Sequence, residues 1–203
     1  MLQDGGVRRS HALSSTALSS TATFLDEIRQ NPMIVRLVDE LPALDLPDWF
    51  VAGGALMQTV WNVRTRRPVN HGILDYDVLY FDDSDLSEAA EQVVIDRVAA
   101  VFGADVQIRN QARVHHWYAD KFGMDSPVRP LRDSRDGIDQ FVAPCVAVGV
   151  TRSDDGELTV YAPFGLDDMN TMIIRHNVAR ASREAFDAKA TRWRSRWPEV
   201  TID

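Results

Sequence analysis

Apolar residues recur at helical spacing from Thr23 to about residue 41 and predict two short helices at the start of the fold. Asn31-Pro32 divides them, because Asn31 is suited to cap a helix and Pro32 to occupy its first position. The preceding residues, 1 to about 20, are rich in Ser, Thr and Ala without any periodicity. They predict a disordered tail.

A strand, a glycine turn and a helix follow. Asp48–Ala52 is a short β-prone run, Gly53-Gly54 interrupts it, and Ala55–Trp61 returns to helical spacing. Beyond a polar loop, Ile73–Phe81 alternates around an Asp-Tyr-Asp centre and predicts a second strand.

The second half of the chain alternates in the same way. Its predicted elements are a helix with a capping box at Asp85 and Glu88 that ends at Gly103, an extended segment Asp105–Trp117, a β-hairpin formed by Cys145–Val150 and Leu158–Tyr161, and a basic helical segment Asp167–Trp197. The order of strands and helices predicts an α/β domain over residues 21–203. Its core covers about 44–120, and 121–203 form a C-terminal extension.

Composition narrows the class of protein. The 203 residues are 45% hydrophobic and 26% charged, which is typical of a globular chain, and the net charge of −8 disfavours a broad nucleic-acid surface. The single cysteine, Cys145, lies in an apolar run and is expected to be buried. No apolar run approaches the ~20 residues of a membrane span, and we expect a cytoplasmic protein with no membrane partner.

Gly53-Gly54 is the first candidate for chemistry, because it stands where a strand passes into a helix. Backbone N–H groups at such a turn bind phosphate oxygens, and glycine allows a ligand to approach closely. The same pattern is also typical of an ordinary turn.

Asp75 and Asp77 are the second candidate. Their i, i+2 spacing on a predicted strand places both carboxylates on one face, where like charges repel unless a cation lies between them. Oxygen ligands of this kind suit Mg²⁺ or Mn²⁺. Apolar neighbours on both sides indicate a buried strand, whereas the alternative is an edge strand with two surface acids.

The Gly-Gly turn followed by an apolar–Asp–x–Asp–apolar strand resembles the nucleotidyltransferase superfamily of DNA polymerase β and the tRNA CCA-adding enzymes. More narrowly, the chain resembles a family of bacterial nucleotidyltransferase-like proteins in the blocks LPDWFVAGG, QTVWN, HGILDYDVLYFD, RNQARVH and YAPFGLDD. The resemblance implies an α/β (α+β) nucleotidyltransferase fold. It consists of a small mixed sheet flanked by helices, with N-terminal helices and a C-terminal β-hairpin plus helical segment.

The resemblance also implies a reaction. Asp75 and Asp77 would bind Mg²⁺ or Mn²⁺, and Gly53 and Gly54 would hold the phosphates of a nucleoside triphosphate. An acceptor, which stays open between RNA, protein and a small molecule, would attack the α-phosphate.

One departure concerns the third carboxylate that the superfamily takes from the next strand. At the matching position this chain has Gln107, which is a weaker metal ligand and no general base. Asp105 lies two residues earlier, a shift of about 6 to 7 Å along the strand. Two other hypotheses therefore stay open: a nucleotide-binding regulatory protein without turnover, and a non-enzymatic interaction domain.

Further polar residues are secondary candidates. On an extended segment, Arg109 and Arg113 share a face with Gln107, and they either contact phosphate or belong to a solvated face. Gln58 and Asn62 lie one helical turn apart, where one of them can hydrogen-bond a phosphate or base. The basic C-terminal segment either binds triphosphate or RNA backbone, or is a solvated helix face packed through its tryptophans.

Overall fold

The structure is a computed structural model that describes residues 15–122, 129–153 and 155–203. In chain order its elements are α1 (Ser15–Ile28), α2 (Pro32–Glu40), β1 (Phe50–Ala52), α3 (Gly54–Arg64), β2 (Tyr76–Tyr80), α4 (Glu88–Phe102), β3 (Val106–Asn110), α5 (Val114–Phe122), α6 (Ser134–Ile138), β4 (Gly149–Arg152), β5 (Leu158–Tyr161), α7 (Asp167–Asn170), β6 (Ile173–Ile174), α8 (Arg183–Arg196) and β7 (Thr201–Ile202).

The N-terminal helices form where the apolar spacing predicts them. The side chain of Asn31 accepts a hydrogen bond from the backbone N–H of Met33 at 3.0 Å, and Pro32 opens α2, which confirms the predicted cap. Helix α1 begins at Ser15, earlier than the helical pattern from Thr23 predicts. The side chain of Ser20 accepts a hydrogen bond from that of Asn170. Residues 1–14 of the predicted tail lie outside the described residues.

The main sheet has the strand order β3-β2-β1-β4-β5. Strands β2 and β3 pair in parallel through the crossover helix α4, and the other neighbours are antiparallel. A second, two-stranded sheet joins β6 and β7 in parallel. This mixed sheet with flanking helices confirms the predicted α/β fold class.

The two faces of the sheet differ in their coverage. One face packs on the large core, to which α1, α2, α3, α4 and α8 all contribute. The other carries a smaller cluster in which Phe50, Ala52 and Leu79 meet Ile138 of α6. Side chains alternate along a strand, so Asp77 points to the same face as Leu79. The carboxylate site therefore lies on the thinly covered face.

Several predicted boundaries are wrong, each for a local reason. Helix α4 is capped by Ser87, whose Oγ accepts from the N–H of Ala90, while Asp85 accepts from the N–H of Ser87. The pair Asp85 and Glu88 is therefore no capping box. Strand β2 begins only at Tyr76, and the flanking Leu74 is exposed rather than buried.

In the C-terminal half the hairpin is confirmed, but β4 begins at Gly149. Cys145 lies before it in a 3₁₀ turn and is buried, as expected, and burial raises the pKa of its thiol. The predicted helical segment is not continuous, since β6 separates α7 from α8. Trp193 and Trp197 are both buried in the core, which confirms that the basic segment packs through its tryptophans.

Candidate active site

The turn between β1 and α3 is built around Gly53. Its φ of +76° and ψ of −134° lie where residues with a Cβ are strained. A Cβ at this position would lie 3.1 Å from Cζ of Phe141 and 3.6 Å from Oδ2 of Asp77. The turn therefore brings the start of α3, an aromatic ring and the carboxylate site together.

The phosphate-binding capacity of the turn lies in the helix rather than in Gly53 itself. The N–H of Gly53 donates to the carbonyl of Val148 at 2.9 Å, so it is engaged within the sheet. Helix α3 starts at Gly54, and its N-cap residue, Gly53, has no side chain that could cap it. Its first N–H groups have no acceptor within the helix and carry the positive end of its dipole. This end is suited to bind an anion.

Asp75 and Asp77 lie at the beginning of β2, both partly buried. Asp77 is paired with Ala52 of β1 and Gln107 of β3, whereas Asp75 precedes the first strand residue. Burial, followed by the charge of Asp75, raises the pKa of Asp77 to about 6. The two carboxylates repel each other, and a bound cation would offset this repulsion. Their oxygens are ligands of the type that Mg²⁺ and Mn²⁺ prefer.

Gln107 contacts the acid pair directly, since its Nε2 donates to Oδ2 of Asp75 at 3.0 Å. The amide thus stands where the superfamily pattern places a third carboxylate. Asp105 is exposed, and its backbone oxygen accepts from the N–H of Tyr76. Over residues 15–122, 129–153 and 155–203, no three His, Cys, Asp or Glu side chains are grouped to hold a metal. Among these residues Asp105 thus forms no three-acid group with Asp75 and Asp77.

Two cationic side chains act on Asp77. Lys189 of α8 and Arg109 of β3 both lower the pKa of Asp77, against the effects of burial and Asp75. Helix α8 is anchored to the loop before β2, because Arg196 donates to the carbonyl oxygen of Gly72 at 2.5 Å. One residue of the basic C-terminal segment thus belongs to the electrostatic environment of the carboxylates, although the tryptophans of α8 are structural.

The predicted strand face beyond residue 110 does not exist. Residues 111–113 form a 3₁₀ turn and α5 follows, so Arg113 shares no sheet face with Gln107. Arg113 is buried and pairs with Glu91 of α4, and its Nε donates to the carbonyl of Leu86. Its guanidinium therefore links the turn to α4, and its contact with phosphate stays a prediction.

Asn62 and Gln58 lie one turn apart on α3, but their side-chain amides differ in their hydrogen bonding. The Nδ2 of Asn62 donates to the carbonyls of Val69 and His71, and its Oδ1 accepts from Nε1 of Trp197 at 2.9 Å. Asn62 is therefore a structural residue that fixes the loop before β2. Gln58 is also buried, but its Oε1 has no hydrogen-bond partner among the described residues.

Phe141 lies beside the site, although the sequence gives no indication that it does. It follows α6, whose Asp136 is bound by Arg129 and Arg132. The side chain of Asn177 donates to the carbonyl of Phe141 at 2.9 Å. This region of the sequence has no periodicity, and only the tertiary fold brings the ring to Gly53.

Comparison with known proteins defines the class. Residues 39–202 match the sequence model of a family described as nucleotidyltransferase, so the chain belongs to that family. The predicted family is thus confirmed. Its family and fold support nucleotidyl transfer as the type of activity.

A solved structure provides a second comparison. It is described with the words "The NMR structure of the protein reveals a CCA-adding enzyme head domain", and this chain is similar to it with a TM-score of 0.72 and 21% identity. The match covers 90% of this chain and 95% of the other. At this identity the likeness concerns the fold, which confirms the predicted nucleotidyltransferase fold. A search of curated proteins finds no match. In the part of the chain that the structure describes, no helix is long and apolar enough to cross a membrane.

Proposed function

We propose that this protein is a metal-dependent nucleotidyltransferase that moves a nucleoside monophosphate from a nucleoside triphosphate to an acceptor. The observation that carries the proposal is the proximity of Asp77 to the start of α3. Its Oδ2 lies 3.6 Å from the position that a Cβ on Gly53, the N-cap residue of α3, would occupy. An anion-binding helix end and a carboxylate that needs a cation are complementary to a metal-bound triphosphate.

The residues have distinct roles in this proposal. Asp75 and Asp77 would hold Mg²⁺ or Mn²⁺, which when bound supplies positive charge to the attacking and leaving oxygens. The free N–H groups that begin at Gly54 bind phosphate oxygens. Lys189 and Arg109 add the positive charge that a triphosphate requires beside two acids.

Gln107 supports a second candidate function, a nucleotide-binding protein of the same fold without turnover. Its amide donates to Asp75, where a carboxylate would have served as a further ligand and as a base for the acceptor. Under this alternative the protein binds nucleotide with metal but transfers nothing.

The test is incubation with each radiolabelled triphosphate and Mg²⁺ or Mn²⁺, followed by detection of label on RNA, protein or small acceptors. We expect transfer by the wild type and none by Asp77→Asn. The matched control is Asp83→Asn, an exposed acid beyond the strand that we expect to transfer at the wild-type rate.

Each result has a definite meaning. Metal-dependent binding without transfer would favour the second candidate. In that case Gln107→Glu, which restores a third carboxylate, should strengthen metal binding. Absence of metal-dependent nucleotide binding would contradict both candidates and favour an interaction domain, and near-wild-type turnover by Asp77→Asn would refute the site.

A further inference from the structure

Gln58 is a buried polar side chain at the candidate site that the fold itself leaves unpaired. It is 7% exposed, and no described residue donates a hydrogen bond to its Oε1. Its Nε2 lies 2.9 Å from the position that a Cβ on Gly54 would occupy. Side chains on a helix lean toward its N-terminus, and the amide is folded back over the glycine turn in this way.

The comparison with Asn62 shows that burial on α3 does not by itself leave an amide unpaired. Both residues carry an amide and both are buried on α3, yet Asn62 has partners for its oxygen and its nitrogen. Buried amides in folded proteins are nearly always paired, so an unpaired one at an anion-binding helix end indicates a ligand. Gly54 has a second role here, since any larger side chain would displace the Gln58 amide.

The chemistry of the unpaired atom identifies the ligand group. A carbonyl oxygen needs a hydrogen-bond donor, and ionised phosphate oxygens only accept. The donors of a nucleoside triphosphate are its sugar hydroxyls and base N–H groups, and the sugar is attached to the α-phosphate. In the structure Nε2 lies at the turn and Oε1 is buried, and a half-turn of the terminal amide brings Oε1 to the turn, where it accepts a hydrogen bond from the ligand.

We infer that Gln58 binds a hydroxyl group of the nucleotide sugar through its side-chain amide and positions the sugar beside the phosphates at the start of α3. This inference rests on the proposed function, because it requires a triphosphate at the turn. It assigns to Gln58 a role in distinguishing ribonucleotides from deoxynucleotides.

The experiment compares wild type with Gln58→Met, which keeps the length of the side chain and removes its polar atoms. Binding of a ribonucleoside triphosphate with Mg²⁺, and of its 2′-deoxy and 3′-deoxy analogues, is measured by calorimetry, and the metal-free Tm by thermal unfolding. We expect wild type to bind one deoxy analogue about 5- to 10-fold more weakly, the effect of one hydrogen bond. Gln58→Met should bind all three equally and have a metal-free Tm at or above that of wild type.

Gln30→Met, the same change at an exposed turn, is the matched control and should discriminate as wild type does. The inference is overturned if wild type binds the three nucleotides equally or if Gln58→Met retains the discrimination. A fall in the Tm of Gln58→Met with unchanged affinities would also overturn it, since that is the result of a packing role. Wild type that binds no nucleotide would instead contradict the proposed function.

Discussion

The Oδ2 atom of Asp77 lies 3.6 Å from the position that a Cβ on Gly53 would take. Asp77 lies on β2 and Gly53 directly follows β1, and the two strands pair antiparallel with Asp77 opposite Ala52. The sheet thus brings a residue suited to cations beside a turn suited to anions. The space between them is available because Gly53 has no side chain.

Gly53→Ala should reduce both stability and nucleotide binding. The backbone of Gly53 is in a region that costs an L-residue of order 1–3 kcal/mol, and the new Cβ would lie 3.1 Å from Phe141. Gly156→Ala is the matched control, because Gly156 also has a positive φ but has nothing within 4 Å of a new Cβ. Urea unfolding should show a loss in both variants, and Mg²⁺-nucleotide titration a loss only in Gly53→Ala. Equal binding by the two would contradict the role of the turn.

Asp77→Asn should stabilise the metal-free protein. Burial and the Asp75 charge raise the pKa of Asp77 to about 6 from 3.8, so between these values the folded state binds more protons than the unfolded state. Stability therefore falls as the pH rises through this window, and at pH 8 the charged carboxylate carries the full cost. Removing the charge should raise the free energy of unfolding by about 1 to 3 kcal/mol in EDTA at pH 8.

The higher free energy of unfolding of Asp77→Asn should disappear in saturating Mg²⁺, because we expect Mg²⁺ to stabilise wild type and not the variant. Chemical unfolding with EDTA and with Mg²⁺ measures both effects. A variant less stable than wild type in EDTA would show that Asp77 makes structural contacts that outweigh its charge.

Lys189→Met should weaken the binding of the Mg²⁺-nucleotide complex by about 5- to 10-fold, since it removes a positive charge that acts on Asp77. Arg194→Met is the control on the same helix. The two positions differ by five, a rotation of about 140° around α8, which places Arg194 away from the side of Lys189. Calorimetric titration should show a loss only for Lys189→Met, and equal losses would mean that the net charge of the helix, rather than one position, is responsible.

Asp136→Asn should destabilise the segment that supports Phe141. The side chain of Asp136 is 2% exposed, and hydrogen bonds from Arg132 and Arg129 hold the pKa of this carboxyl well below its usual value. Because this pKa is lowered, the ionised Asp136 stabilises the folded state fully above about pH 4, and this stabilisation is lost as the pH falls below that value. We expect the variant to lose about 1 to 3 kcal/mol at pH 7 in denaturant unfolding. The difference in the free energy of unfolding between variant and wild type should shrink toward pH 3. A difference that does not depend on pH would contradict an ionic role of Asp136.

The sequence by itself determined the local elements and the class of chemistry. Apolar spacing and the cap at Asn31 define the early helices, and glycines between a strand and a helix predict the turn, because these signals depend on neighbours in the chain. The spacing of Asp75 and Asp77 predicts a shared direction without reference to any other segment. These residues also carried the resemblance to the nucleotidyltransferases.

Only the tertiary structure decided which residues surround the carboxylates. The predicted strand after Asp105 ends at Asn110, since the polar alternation beyond it belongs to a turn in which Arg113 pairs with Glu91. Phe141 lies at the Gly53 turn and the charge of Lys189 acts on Asp77, although both residues are more than 60 positions away from Asp77 in the sequence. Likewise, nothing in the sequence distinguishes Gln58 from Asn62. Their difference arises because the loop before β2 and Trp197 satisfy one amide, while the fold provides no partner for the oxygen of the other.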